Sequence, residues 1–243
     1  MVGNQYDIVA KFYDNVIGRS DESVSYIINK ILKYNKSAKS VLELGCGTGN
    51  NLDELSKDFI VSGIDLSHKM LKIAKKKIPG GKFYNNDIRN FSLNSKFDVI
   101  ICMYDTINHL TLFNDWKRIF LNVYTHLNQN GLFIFDINTI YRLETISRVS
   151  PLLHKFDTNY LIIDVKKITK NIFNWNLKVF ENKTGNNFSL YETNIRESGF
   201  EIDKIREELT KQYQIKCVED ESSKKLSVKS ERVYFVCKKS KKF

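Results

Sequence analysis

The sequence contains little proline and little cysteine, and it lacks long hydrophobic runs. Only two of its 243 residues are proline, and no proline-rich linker is found. No apolar stretch approaches the ~18 residues needed to span a bilayer, and residues 1–14 lack the apolar core of a secretory signal. The cysteines form no Cys-x-x-Cys pair and have no histidine at metal-binding spacing, which favours buried thiols in a reducing compartment: Cys46, Cys102, Cys217 and Cys237. We therefore expect a cytoplasmic protein that uses no metal.

Acidic residues are in the minority, with 28 Asp and Glu against 38 Lys and Arg, which gives a net charge of +10. Such a surplus is compatible with nucleic acid, a membrane surface or an anionic small molecule as partner. Lysines without an intervening acid extend from Lys69 to Lys82, but Leu71, Ala74 and Ile78 supply a buried stripe at helical spacing. We interpret these lysines as the solvated face of a helix. We expect a small-molecule substrate rather than nucleic acid or a membrane, and a monomer or a homodimer.

A glycine-rich stretch, Glu43-Leu44-Gly45-Cys46-Gly47-Thr48-Gly49, follows an apolar run and precedes a helix-permissive segment at 50–57. Glycines at alternate positions let the backbone turn tightly and let a ligand approach without a Cβ in the way. Asn50 stands where the dinucleotide fingerprint needs its third glycine, which weakens the case for a nicotinamide oxidoreductase. A strand, a tight turn and a helix in this order predict a nucleotide-binding loop.

Asp65 ends the next apolar run, at 59–64, and lies 22 residues beyond Glu43. An acid near that distance, at the tip of a second strand, can accept hydrogen bonds from both ribose hydroxyls. The loop and the acid together predict an adenosine-binding half-fold.

Apolar runs alternate with amphipathic stretches through the first 138 residues. After a helical lead-in over residues 1–37, strands are predicted at 40–44, 59–65, 82–85, 97–103 and 131–138, and helices at 51–57, 67–77 and 114–127. Continuously apolar runs such as Val99-Ile100-Ile101 are typical of parallel strands that are covered on both faces. We therefore predict an α/β fold with a parallel sheet.

From Tyr160 onward the pattern becomes β-rich. Runs at 160–165 and 172–180 predict an antiparallel meander. We interpret 192–197, followed by Gly199, as the last helix, and 200–205 with 232–237 as a closing strand pair. We predict one domain over 1–243, made of a lead-in (1–37), a cofactor-binding core (38–138), a substrate-side β insertion (139–190) and a closing helix and strand pair (191–243).

Several motifs, in their order and spacing, resemble the class I S-adenosylmethionine-dependent methyltransferases. They are the glycine loop, Gly63-Ile64-Asp65-Leu66-Ser67 with Met70-Leu71, Asn86-Asp87-Ile88, Phe97-Asp98-Val99-Ile100 and Gly131-Leu132-Phe133-Ile134-Phe135-Asp136. Within that superfamily the chain most resembles N,N-dimethyltransferases that act on nucleotide-linked amino sugars, through Tyr13-Asp14 with Gly18-Arg19, 74–79 and 102–110.

The resemblance implies a fold and a reaction. The fold is a Rossmann-like, mostly parallel seven-stranded sheet with helices on both faces, plus a small antiparallel β insertion. The reaction is methyl transfer from S-adenosyl-L-methionine, with S-adenosyl-L-homocysteine as product, to a small-molecule acceptor, in particular an amine such as an amino sugar. The alternatives are a nucleic-acid (RNA) methyltransferase and a non-catalytic S-adenosylmethionine-binding protein.

The resemblance also implies cofactor contacts at the strand ends and on the lead-in. Glu43 would organise the amino end of the cofactor, and Asp65 would hold the ribose. The guanidinium of Arg19 can pair with the carboxylate of a methionine tail. The full expected set is Tyr13, Arg19, Glu43, Gly45, Gly47, Gly49, Asp65, Leu66 and Met70 beside the base, Asp87 and Ile88 at the adenine edge, and Met103.

His109 follows the fourth predicted strand, on the side where an acceptor would line up with the methyl group. Its imidazole titrates near neutrality and could take a proton from an amine or a hydroxyl. It could equally be a pocket wall, because transfer to a neutral amine needs mainly alignment. The expected catalytic residues are His109 and Tyr13, and the expected substrate-binding residues are Tyr104, Asp105, His109 and Asn138.

Overall fold

A computed structural model of the chain describes residues 3–17, 21–222 and 225–240. The strands are β1 (Ser40–Leu44), β2 (Ile60–Asp65), β3 (Lys82–Asn85), β4 (Phe97–Cys102), β5 (Leu127–Asn138), β6 (Leu152–Phe156), β7 (Asn159–Lys167), β8 (Ile172–Thr184), β9 (Asn187–Ser198), β10 (Tyr213–Asp220) and β11 (Arg232–Lys239). The α-helices are α1 (Gly3–Val9), α2 (Tyr13–Ile17), α3 (Asp21–Tyr34), α4 (Asn50–Leu55), α5 (His68–Lys77), α6 (Phe113–His126), α7 (Ile140–Val149) and α8 (Ile202–Thr210). Short 3₁₀ helices form at Ala10–Phe12 and Thr106–His109.

Seven strands form the main sheet, in the order β10-β11-β5-β4-β1-β2-β3. The strands from β5 to β3 run parallel, whereas β11 is antiparallel to both β5 and β10. Adjacent residues of β1 point to opposite faces, so that Leu42 joins one buried cluster with Trp116 of α6, and Val41 joins another with Ile27 of α3. The sheet is therefore covered by helices on both faces, which confirms the predicted Rossmann-like class.

A second sheet of four antiparallel strands has the order β6-β7-β8-β9 and confirms the predicted antiparallel insertion. Its register places the apolar side chains of Ile163, Leu177 and Ile195 on one face. Helix α1 packs on β9, so the lead-in lies next to this small sheet.

Two of the later predictions are wrong. The stretch 192–197 is part of β9 and not a helix, because pairing with β8 buries alternate residues, Thr193, Ile195 and Glu197. The segment predicted as a strand at 200–205 instead begins α8, and β11 pairs with β10. Gly199 does not end a helix; a Cβ there would lie 2.8 Å from Cγ1 of Ile140, so the glycine permits a close approach to α7.

The other boundaries differ by a few residues. Strand β5 starts at Leu127, four residues before the predicted start, and helix α7 had no counterpart in the prediction. The division into the predicted sequence regions stays a prediction. Among the described residues, no helix is both long and apolar enough to cross a membrane.

Candidate functional site

The glycine loop leaves β1 and packs closely against the 3₁₀ helix that follows β4. The backbone N–H groups of Gly45 and Cys46 both donate to the carbonyl of Ile64, at 2.8 and 3.0 Å. Gly45 has φ of +68°, and a Cβ there would lie 2.3 Å from Cγ2 of Thr106. Only a residue without a side chain fits this contact, which explains why glycine is needed at position 45.

Asp65 lies at the carboxyl end of β2 and is oriented by backbone donors. Its Oδ2 accepts from the N–H of Gly47 at 2.8 Å, and its Oδ1 accepts from the N–H of Ser67 at 2.7 Å. Burial raises the pKa of Asp65, and these backbone hydrogen bonds oppose that rise. A carboxylate accepts more than two hydrogen bonds, so Asp65 keeps acceptor capacity towards a ligand.

A first cavity of about 210 Å³ opens beside Asp65 and the glycine loop. Its lining combines apolar side chains with polar groups of the loop and the lead-in. Ten of the predicted site residues line it: Tyr13, Gly45, Gly47, Asp65, Leu66, Met70, Asp87, Ile88, Tyr104 and His109. The structure thus brings together most of the residues that the sequence assigned to the cofactor.

Asp87 has a strong partner in the structure. Oδ1 and Oδ2 of Asp87 accept from Nε of Arg89 at 3.0 and 2.9 Å, and the Arg89 backbone N–H also donates to Oδ1, at 2.9 Å. Burial works against the charge, but the hydrogen bonds from Arg89 hold the pKa of Asp87 below its usual value. Both residues line the first cavity, so the expected adenine contact would involve this pair rather than Asp87 alone.

Glu43 lies beneath the loop and is not among the residues that line the first cavity. Its Oε1 accepts from Nδ2 of Asn51 at 2.6 Å, while its buried Oε2 has no partner. Burial raises the pKa of Glu43 to about 8, although the bond from Asn51 works in the opposite direction. This shift favours the protonated form of the carboxyl group at neutral pH.

Three further predicted cofactor residues lie away from the first cavity or outside the described chain. Gly49 precedes α4 with φ of +82° and packs against Ala74, which is a structural contact. Met103 is 2% exposed and belongs to the core cluster on one face of the sheet. Arg19 lies outside the described residues, so its carboxylate contact stays a prediction.

Two carboxylates of the lead-in hold it over the glycine loop by accepting hydrogen bonds. Asp7 accepts from the hydroxyl of Ser67, and Asp14 accepts from the hydroxyl of Thr48 at 2.5 Å and pairs with Lys77 at 3.0 Å. These contacts place the ring of Tyr13 3.7 Å from the position that a Cβ on Gly47 would take.

A second cavity, of about 320 Å³, lies between the lead-in and the small sheet. Tyr6, Tyr13 and Tyr104 line both cavities, so the two spaces meet at these three rings. Two predicted substrate residues, Asp105 and Asn138, line the second cavity and not the first.

The turn after β4 is held by a side chain of β11, which lies two strands away from β4 in the sheet. Tyr104 and Asp105 both have positive φ, of 55° and 50°, which is uncommon for residues with side chains. Arg232 of β11 donates to Oδ1 of Asp105 at 2.6 Å and also pairs with Asp136. Oδ2 of Asp136 accepts from the Asp105 backbone N–H at 3.0 Å. This clamp fixes Asp105 at the border of the second cavity.

His109 lines the first cavity and not the second, and its Nε2 is 2.9 Å from the hydroxyl of Tyr6, which lines both. Burial lowers the pKa of His109, and the charge of Asp105 offsets part of that effect. A neutral imidazole can accept the Tyr6 proton at Nε2. Tyr6 therefore lies between His109, which is the predicted base, and the open space of the second cavity.

The residues of the first cavity fit S-adenosylmethionine on structural grounds. The absence of a side chain at Gly47 leaves room beside the ring of Tyr13, Asp65 offers acceptors for ribose hydroxyls, and Leu66 with Met70 offers an apolar surface for a base.

Sequence analysis missed several residues of the site. Tyr6 lies seven residues before Tyr13, which is two helical turns, and this spacing on a helical lead-in could have identified it. Thr106 and Arg89 had no such signal, since their importance depends on what they touch. Glu197 and Arg232 were assigned to the closing elements, and only strand pairing brings them to the second cavity.

Comparisons with known proteins agree with this geometry. Residues 41–131 match the family described as Methyltransferase domain. The crystal structure of an S-adenosylmethionine-dependent methyltransferase from Clostridium acetobutylicum ATCC 824 is similar with a TM-score of 0.86 and 27% identity, covering 97% of this chain and 99% of that one. A Geobacillus sp. (strain WCH70) protein that is named as a methyltransferase is 26% identical over 245 residues, 96% of this chain and 99% of the relative.

A more specific relative is matched over a shorter length. The dTDP-4-amino-2,3,4,6-tetradeoxy-D-glucose N,N-dimethyltransferase of Saccharopolyspora spinosa is 33% identical over 100 residues. The match spans 41% of this chain and 40% of that relative.

Proposed function

We propose that this chain, an S-adenosylmethionine-dependent methyltransferase, transfers the methyl group to the nitrogen of a small-molecule amine. The observation that carries the proposal is the junction of the two cavities at Tyr6, Tyr13 and Tyr104. A ligand on the glycine loop and a ligand under the small sheet would meet there. Bound S-adenosylmethionine supplies an electrophilic methyl group that an acceptor nitrogen takes from sulfur, with loss of one proton from the nitrogen.

In the first cavity, this chain's own residues would hold the cofactor by shape and by hydrogen bonds. Asp65, fixed by two backbone N–H groups, would accept the ribose hydroxyls. Leu66 and Met70 would flank the base, and the lead-in would exclude water from the loop side.

The amine proton needs an acceptor near the junction. Tyr6 lines both cavities, and its hydroxyl lies 2.9 Å from Nε2 of His109. The Tyr6 oxygen can take the proton from the amine while its own proton passes to the neutral imidazole. In this arrangement Tyr6 touches the acceptor and His109 acts through it.

An amino sugar on a nucleotide is the narrower candidate for the acceptor. It is supported by the Saccharopolyspora spinosa relative, which by its name methylates the amino group of a dTDP-linked sugar. The likeness covers less than half of either chain. It therefore supports an amine as the nucleophile more than it supports the rest of the acceptor molecule.

The test is to incubate the purified protein with methyl-labelled S-adenosylmethionine and three acceptor sets: small amines, the matched alcohols and RNA. We expect label on nitrogen of at least one amine and none on RNA. Label on RNA, or on alcohols alone, would overturn the proposal, and so would cofactor binding with no transfer to any acceptor in a metabolite extract. An Asp65→Ala variant serves as the control, because it shows how much label reaches an acceptor when the cofactor site is impaired.

A further inference from the structure

The small sheet presents to the second cavity a face that is almost entirely apolar. The cavity is lined from β7, β8 and β9 by Leu161, Ile163, Leu177, Val179 and Ile195. Leu161 pairs with Val179, and Ile163 pairs with Leu177, so these side chains lie on the same face. Such a wall contacts hydrocarbon well and offers few partners to hydroxyl groups.

One carboxyl group interrupts this face, at its end nearest the main sheet. Glu197 follows Ile195 by two positions in β9, so it points to the same face, and it is 4% exposed. Oε2 accepts from Nδ2 of Asn138 at 3.1 Å. Asp105 and His109 bring their polar atoms to within 4.8 Å of Glu197 and of one another.

The cavity contains a buried acceptor that lacks a donor. Asn138 is 2% exposed, and its Oδ1 has no hydrogen-bond partner although its Nδ2 and backbone N–H are both bonded. Buried acceptors are normally satisfied, so this oxygen indicates a ligand that donates. The acceptors at this end of the cavity therefore call for a ligand that donates hydrogen bonds.

Carboxyl groups also outnumber cationic side chains at this end. Arg232 is shared between Asp105 and Asp136, and Arg142 pairs with Glu231 at 2.7 Å. Within the part of the chain that the structure describes, Glu197 makes no ion pair. Burial, and next the charge of Asp105, raise the pKa of Glu197 well above its ordinary value, which a bound cation would counteract.

We infer that the second cavity binds the acceptor as an organic cation with a hydrocarbon body: the ammonium lies among Asp105, Asn138 and Glu197, and the body lies on the apolar face of the small sheet. This inference rests on the proposed function, because it takes the second cavity to be the acceptor site. It adds a preference for a deoxygenated or aliphatic amine over one rich in hydroxyl groups. The rings of Tyr6, Tyr13 and Trp175 line the same space and favour a cation near their faces.

A metal ion is the competing occupant of Asp105, His109 and Glu197. One observation favours the amine: the side chains that the small sheet presents to the rest of the cavity are mostly hydrocarbon, which a metal ion would not use.

The experiment measures binding without turnover, by calorimetry on the full chain saturated with S-adenosylhomocysteine. Cyclohexylamine, cyclohexanol and glucosamine are compared. Cyclohexanol lacks the ammonium group, and glucosamine lacks the hydrocarbon body because its ring carries hydroxyl groups. We expect cyclohexylamine, as its ammonium, to bind at least about tenfold more tightly than either of the others. Zn²⁺ and Mn²⁺ are titrated separately.

The variants separate the charged end from the apolar wall. Glu197→Gln keeps the shape of the side chain and should weaken cyclohexylamine about tenfold or more while leaving S-adenosylhomocysteine binding unchanged. Leu177→Asn, of similar size, should weaken cyclohexylamine but leave methylamine unaffected. Glu192→Gln, on the outer face of the same strand, is the matched control and should change nothing.

Each contrary result overturns the inference. Equal binding of cyclohexanol would remove the cation site, and equal binding of glucosamine would remove the hydrocarbon preference. Metal binding that Glu197→Gln abolishes, or no binding of any probe, would also contradict it. If the protein methylates an amine but does not bind cyclohexylamine, the proposed function stands and this inference is wrong. If it binds cyclohexylamine but transfers no methyl group, this inference stands and the proposed function is wrong.

Discussion

The two cavities differ in what holds their polar groups. In the first, the carboxylate of Asp65 is held by backbone N–H groups from its own strand end and from the adjacent loop. In the second, Asp105 is held by Arg232, and Glu197 by Asn138, so side chains from distant elements hold one another. Backbone donors keep their positions under most substitutions, whereas a side-chain network loses its geometry when one member changes. Asp65 in the first cavity therefore depends less on neighbouring side chains than Asp105 and Glu197 in the second do.

His109→Ala should have the largest effect: the rate of methyl transfer should fall, whereas the affinity for the cofactor product should hardly change. If His109 receives the amine proton through Tyr6, the rate should fall by about 10²–10⁴-fold, while S-adenosylhomocysteine affinity stays within about twofold. The defect should shrink as pH rises, because more of the amine then arrives without its extra proton. Steady-state kinetics from pH 6 to 9 check this, with exposed His154→Ala as control. A loss below tenfold with no pH rescue would make His109 a pocket wall.

Asp65 variants test the first cavity alone. Asp65→Ala should cost about 1.5–3 kcal/mol of cofactor binding, or roughly tenfold or more in affinity. Because Asp65 also holds the backbone of Gly47, the sharper comparison uses Asp65→Asn with S-adenosylhomocysteine and its 2′-deoxy analogue. We expect the preference for the ribose form to shrink in calorimetry. Equal weakening of both ligands would mean that Asp65 supports the loop without touching the ribose.

Gly45→Ala tests whether the first cavity depends on the backbone. The added Cβ would collide with Thr106, and the positive φ would be strained, so we expect a loss of about 1–3 kcal/mol in the free energy of unfolding. Gly80→Ala is the control, because a Cβ there meets nothing within 4 Å, and it should stay within about 0.5 kcal/mol of the parent protein. Urea unfolding measures both variants. Equal stability of the two would contradict the close approach.

Glu43→Gln should have the smallest effect, visible only as pH changes. The folded pKa of Glu43, about 8, lies above its ordinary value of 4.5, so its contribution to stability is fully present below pH 4.5 and is lost as pH rises through 8. Gln mimics the protonated acid, so the variant should lose about 1–2 kcal/mol less than the parent between pH 7 and 9 without cofactor. Urea unfolding at several pH values checks this, with exposed Glu207→Gln as control. Parallel pH curves would show that Glu43 is ionised.

The parts that sequence predicted well depend on short-range patterns. The strands β1 to β4 and the helices α4 to α6 lie within two residues of their predicted bounds, because runs of apolar residues and helical spacing are local signals. Asp65 and the glycine loop were found for the same reason. The prediction of a helix at 192–197 was wrong because polar residues alternating with Thr193 and Ile195 carry no strong strand signal until β8 lies beside them.

The sequence by itself determined the Rossmann-like sheet, the glycine loop and the acid at the second strand tip, because each of these depends on residues close together along the chain. Only the tertiary structure decided that Tyr6 meets His109, 103 positions away, and that Arg232 holds Asp105, 127 positions away. It also turned Glu197 into the cavity through strand pairing. Such contacts are set by which surfaces pack together, and no local propensity encodes a partner that lies a hundred residues away.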